Sequence, residues 1–196
     1  MKKHDERTLA DEAGAVMGML DRELWLLTTE TETERNGLIC TFVSKASIVP
    51  ELPRMAVGLA KQHHTCALVR DSGRFCLHLL WPDQADLVWR FGLASGRDTD
   101  KFDGLETISS PLGNPCLPNA LAWLDCRVET SLDIGDRILF VAAVEHAGNN
   151  GHSLPLSVNR LYYEAPDDKG KQLGSMYEHD GRSDAQAIRR WREDCS

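Results

Sequence analysis

The sequence lacks any stretch that could cross a bilayer as a helix. Its longest run free of charge and histidine, residues 107–124, is broken by Pro111, Pro115 and Pro118, whereas a spanning helix needs about 20 mostly apolar residues. The charged first seven residues are not followed by the apolar segment of a secretory leader. Basic residues are in deficit, 22 Lys and Arg against 30 Asp and Glu, a net charge of −8. An acidic surface repels both a phosphate backbone and anionic lipid, so neither a nucleic acid nor a membrane is an expected partner. Six cysteines stand singly, with no Cys-x-x-Cys pair, and several sit within apolar runs where a thiol packs as a small hydrophobe. The expectation is a reduced, cytoplasmic protein rather than a disulfide scaffold. Also missing are a Gly-x-Gly-x-x-Gly turn, a P-loop, His-Glu-x-x-His and Gly-x-Ser-x-Gly, which sets aside Rossmann, P-loop, zincin and α/β-hydrolase chemistry.

What is present is enough apolar material for one domain. The chain has 196 residues, 42% of them hydrophobic, and a chain of this size buries about 70% of its unfolded surface. Leu9, Ala13, Val16, Met17 and Leu20 fall at helical spacing behind Thr8 and Asp11, a capping pair. Residues 23–30 read as a buried strand. Asn36-Gly37 reads as a hairpin turn, since it accepts positive φ. Residues 38–48 form a second, long strand, closed by Pro50 and Pro53, and residues 55–60 a third. A short helix over 65–70 stops at Gly73, and 75–80 returns as a strand. Residues 83–94 read as a helix with Leu87, Val88 and Phe91 on one face and an Asp86–Arg90 pair on the other.

Residues 124–133 alternate apolar and polar, the period of a half-buried strand, and 138–144 is apolar on both faces and hence central. Residues 161–163 read as a last strand. The polar stretch 165–182 reads as a linker, and Ser183 with Gln186 as the cap of a final helix carrying Ile188 and Trp191. The division is an N-terminal helix over 1–22, a barrel domain over 23–164, and a linker with a helical arm over 165–196. Hairpin connections point to a mainly β fold, an antiparallel barrel with helical decoration.

Two segments carry candidate chemistry. The run from Leu38 to Pro50 is polar for a strand, with Cys40, Thr41, Ser44, Lys45 and Ser47 among its side chains. Small and hydroxylic residues let a planar ligand reach backbone N–H and C=O groups; an edge strand with solvated Thr, Ser and Lys explains the same pattern. Lys61-Gln62-His63-His64-Thr65 stands at a strand-to-helix junction. Free N–H groups and partial positive charge there suit a phosphate; a plain capped helix start is the alternative. A metal has little support, since adjacent histidines diverge and no third ligand is suitably spaced. Cys66 reads as a buried thiol, His179 has no metal partner, and Trp81, Trp89, Phe91 and Trp123 read as core.

Asn36-Gly37 followed by Ser44, Ser47 and Pro50 resembles the signature of the flavin reductase-like, FMN-binding split-barrel family. Val57-Gly58-Leu59, Lys61 to Thr65, Ser72 to Phe75, Lys101-Phe102, Leu121 to Val128 and Gly135-Asp136-Arg137 follow in the family's order. The resemblance covers about 140 residues. It implies a six-stranded antiparallel split β-barrel, a homodimer, and FMN or FAD at the dimer interface. It places Cys40, Thr41 and Phe42 along the isoalloxazine edge, Ser44, Lys45 and Ser47 along the ribityl chain, and Lys61, His63, His64 and Thr65 at the phosphate.

Three departures stand out: Ile39 where many members have Thr, Arg137 where nicotinamide-using members often have His, and Ala142-Ala143 in place of Gly-Glu. Arg137 is permanently charged and cannot act as a neutral imidazole, but it suits a pyridine-nucleotide phosphate or an anionic reduced flavin. The implied function is an oxidoreductase of the flavin reductase type. NAD(P)H would donate electrons through flavin to a second flavin or a partner acceptor protein. The alternatives are a flavin module fed by a protein donor, and a barrel that binds another ligand or serves as a scaffold.

Overall fold

The computed structural model describes residues 8–97 and 99–195. The charged first seven residues of the expected N-terminal segment, and Ser196 of the arm, lie outside the described residues. Helix α1 (Leu9–Met17) starts as its sequence requires: the Thr8 hydroxyl accepts from Asp11 N at 3.2 Å, and the Asp11 carboxylate accepts from Thr8 N at 2.9 Å. Strand β1 (Trp25–Glu30) puts Leu27 into one apolar cluster and Leu26 into another on the opposite face, which is why the run is apolar without alternation.

The chain then turns at residues 31–34, where Thr31 N donates to Glu34 O at 2.8 Å, and β2 (Arg35–Cys40) follows. Asn36-Gly37 is therefore not the turn. Gly37 lies inside β2 because a Cβ there would stand 2.9 Å from the Leu27 carbonyl and 3.0 Å from the Phe91 ring. The expected long strand over 38–48 is broken at Thr41-Phe42, and β3 is only Val43–Lys45.

Strand β4 (Arg54–Ala60) and helix α2 (His64–Ser72) come next, with Gly73 closing the helix at φ 66°, a conformation glycine adopts without strain. Strand β5 (Arg74–Leu79) and helix α3 (Ala85–Gly92) match expectation, though Arg90 donates to the Asp103 carbonyl at 2.7 Å. A two-stranded ribbon, β6 (Ile108–Ser109) with β7 (Pro115–Cys116), precedes the long hairpin β8 (Ala122–Asp133) and β9 (Arg137–Asn149).

The main sheet is antiparallel throughout, in the order β2-β1-β5-β8-β9-β4-β3. Its edge strands β2 and β3 are consecutive in the chain and joined by two residues, a span of about 10 Å at most. The sheet must therefore curl until its edges meet: a half-barrel of seven strands, where six were expected. The difference comes from the break at Thr41-Phe42. Leu27, Val57, Phe75, Leu77 and Phe140 fill the interior; Leu26, Val88, Phe91, Phe102 and Leu156 form an outer cluster under α3. Each fully buried side chain of this size contributes about 2–3 kcal/mol.

The expected strand over 161–163 is helix α4 (Val158–Glu164), started by the Ser157 hydroxyl, which accepts from Arg160 N, and anchored by buried Leu161. Polar residues 165–182 are not a linker. They belong to α5 (Asp167–Asp194), a 28-residue helix entered at Pro166, so that Ser183 lies mid-helix rather than at a cap. No residue of α5 is buried, and a helix polar nearly all round leaves little apolar period to read. Among the described residues no helix is long and apolar enough to cross a membrane.

Lys101 is buried, and its Nζ donates to the carbonyls of Gly37 and Phe91, both at 3.0 Å. Burial lowers its pKa from 10.5 to about 8. The unfolded chain thus binds more protons between those values, and stability rises with pH through that window. Relative to Lys101→Met, the native protein is expected to gain up to about 3 kcal/mol between pH 8 and 10.5. Urea unfolding at the two pH values checks this; a gap independent of pH contradicts it.

Candidate functional site

The break between β2 and β3 exposes Phe42, whose carbonyl accepts from Gly58 N at 2.8 Å. A Cβ on Gly58 would meet the Phe42 Cβ at 3.3 Å and Arg137 Cδ at 3.9 Å, so the glycine lets ring and guanidinium come together. Arg137 pairs with Ala60 across β9 and β4, and its guanidinium lies 4.5 Å from the Phe42 ring centre. Arg22 approaches the same ring at 5.4 Å, a contact with no signal in the sequence. Lys61 N donates to the Asp136 carbonyl at 2.9 Å, which fastens the junction before α2 to the turn between β8 and β9. Arg137 is thereby brought beside Lys61 and His63.

Lys61, His63, His64 and Arg137 each have a carboxylate neighbour. Lys61 Nζ lies 2.9 Å from Asp133, His63 Nε2 3.7 Å from Asp180, and His64 Nε2 contacts Glu34. Arg137 meets Asp136 at 3.1 Å and Asp184 at 2.9 Å, with only 21% of its side chain exposed. Burial pushes the His63 imidazole below its usual range, against the pull of Asp180. Burial likewise pushes the Asp184 carboxyl up, opposed by Arg137. Helix α2 begins at His63 without a side-chain cap, leaving first-turn N–H groups available; Thr65 is buried in that turn.

The remaining expected residues are placed differently. Cys40 turns its thiol into the core, toward the Trp25 carbonyl, and burial pushes that thiol up to about 12. Thr41 is half-buried beside Phe42, and Ser44 and Lys45 are exposed. In the antiparallel register Val43 faces Val57 and Lys45 faces Met55. Residues 44–47 therefore run away from the Lys61 end, on the other side of Phe42.

One further cluster escaped the sequence reading. Cys76 and His78, two apart on β5, meet Cys116 of β7 with ligand atoms within 4.8 Å, all buried. Cys-x-His was its only signal. His78 Nδ1 lies 3.0 Å from the Leu26 carbonyl and its Nε2 accepts from Leu117 N at 3.1 Å. A neutral imidazole satisfies both, so its lone pair is already used. Cys66, as expected, is a buried thiol.

A family model described as flavin reductase like domain matches residues 17–165. The chain belongs to this family. Its enzyme class is therefore that of a flavin oxidoreductase. A flavin-dependent monooxygenase reductase subunit of Rhodococcus jostii is 30% identical over 148 residues, 76% of this chain and 73% of that protein. The crystal structure of nitrilotriacetate monooxygenase component B from Mycobacterium thermoresistibile is 27% identical, with a TM-score of 0.65 over 75% of this chain and 82% of that one. The NADH:FAD oxidoreductase of Streptomyces globisporus shares the fold at 18% identity, with a TM-score of 0.65 over 76% and 88% of the two chains.

Proposed function

We propose that this chain is a cytoplasmic flavin reductase, working as a homodimer, that takes electrons from NAD(P)H onto FMN or FAD and passes them to a second flavin or a partner oxygenase. The observation that carries the reading is the exposed Phe42, packed on Gly58 and Arg137 beside the uncapped start of α2. This donor set fits a planar ring bearing an anionic tail. Thr41, Phe42 and the Cys40 backbone would hold the ring, with Ser44, Lys45 and Ser47 at its far edge. Lys61, His63, His64, Thr65 and Arg137 would face the phosphate. A flavin held there supplies the hydride acceptance at N5. Arg137 supplies permanent positive charge at that end of the site, favouring a ligand's negative charge. Small side chains and the backbone orient the ring, and no side chain need act as acid or base. Exposed Leu9, Val16 and Met17 of α1, with Ile48 and Leu52, support pairing of two copies.

Steady-state oxidation of NADH and NADPH with added FMN or FAD tests the reading; at least one pair is expected to turn over well above the enzyme-free rate. Background rates with every pair would favour the second reading, a module fed by a protein donor. The engagement of Arg137 by Asp136 and Asp184 is the observation on that side.

A further inference from the structure

Helix α5 touches the candidate site through one face. Asp180, Asp184, Ile188 and Trp191 follow at intervals of four, four and three, a single stripe on an α-helix. Asp180 faces His63 at 3.7 Å and Asp184 binds Arg137 at 2.9 Å. Two turns further on, the stripe is seated on the β8–β9 turn. Gly135 there has φ 101°, and a Cβ on it would stand 3.0 Å from the Trp191 Cβ and 3.3 Å from the Ile188 Cα. The turn is shaped to receive the helix. All of α5 lies beyond residue 165, where the family match ends.

We infer that α5 is an acidic strap: Asp180 and Asp184 hold His63 and Arg137 in place of a ligand's phosphate, and a phosphate-bearing ligand must displace them. The inference rests on the proposed flavin site. The strap is built to yield. None of its residues is buried, so little apolar surface holds it down, and segments of this kind open at low free-energy cost. The Asp184 carboxylate is disfavoured by its burial, so release into water restores its hydration.

Hydrogen exchange on the full chain, with and without FMN, reads the strap directly. Residues 177–194 are expected to exchange faster when FMN is bound. The full-length variant Asp180→Asn with Asp184→Asn, isosteric changes that leave the Trp191 seat intact, is expected to bind FMN about five- to tenfold more tightly by fluorescence quenching. Unchanged exchange, or a variant that binds no tighter, overturns the strap and leaves the flavin site standing. If neither protein binds FMN, the flavin reading fails, and inorganic pyrophosphate decides the strap. Faster exchange in α5 than in sodium chloride of equal ionic strength sustains it; equal exchange overturns it.

Discussion

Asp125→Ala is expected to lower the stability of the fold by about 4 kcal/mol, a fall in Tm of about 10 °C for a domain of this size. Asp125 lies on β8, is fully buried, and accepts from Leu112 N and Asn114 Nδ2, both at 2.8 Å. Those bonds clamp the segment over residues 110–117 onto the sheet. The same segment gives its Pro115 carbonyl to the Thr28 hydroxyl and its Leu117 N–H to His78. Alanine would leave two buried donors without an acceptor, each costing about 1–3 kcal/mol and more where the lost partner was charged. Asn114 has little in reserve, since its own Oδ1 is buried and without a hydrogen-bond partner. Asp125→Asn keeps one acceptor and turns a donor toward a donor, so an intermediate loss is expected. Thermal unfolding followed by circular dichroism measures both, and an alanine variant within about 2 °C of the native protein would contradict the clamp.

The second large effect concerns ligand binding. Arg137→Glu is expected to weaken FMN binding about 100-fold at low salt, and also to lower Tm, since Asp136 and Asp184 lose the cation they share. The substitution removes a cation from beside Phe42 and adds a third carboxylate to Asp136 and Asp184. A phosphate-bearing anion then meets net repulsion where it met attraction, and 100-fold corresponds to about 2.7 kcal/mol. The loss should shrink as salt rises, because screened charges account for much of it. Affinity within threefold of the native protein would place the flavin elsewhere.

The legible parts of the sequence were those where local chemistry and tertiary structure agree. Thr8 with Asp11, Gly73 after α2, and the apolar faces of β1, β5 and α3 follow from capping, left-handed φ and periodicity alone. The errors share a cause: tertiary contacts override local signals. Asn36-Gly37 reads as a turn, yet Gly37 is needed because Phe91 presses on the strand. Residues 38–48 read as one strand, yet barrel closure breaks them at Phe42. Asp125 falls on the polar parity of β8, but the segment over 110–117 covers it. Helix α5 carries three glycines and few apolar residues, and its inner face is identified by tertiary contacts such as its seat on Gly135.

At the candidate site, the resemblance supplied the residues to place, and Arg137 was singled out as a departure. The carboxylates opposite Lys61, His63 and Arg137 were not legible, because Asp133, Asp180 and Asp184 reach them from 47 or more residues away for Arg137 and 72 for Lys61. The direction of residues 44–47, away from Lys61, depends on the register of β3 against β4, which no periodicity encodes.

The most direct test of the account is the visible absorption spectrum of the purified chain, before and after addition of FMN and removal of the excess. Bands near about 375 and 450 nm that stay with the protein, and that are weakened or lost in Arg137→Glu, are the expected result. A chain that neither carries nor retains flavin would contradict the site at Phe42 and leave only the fold.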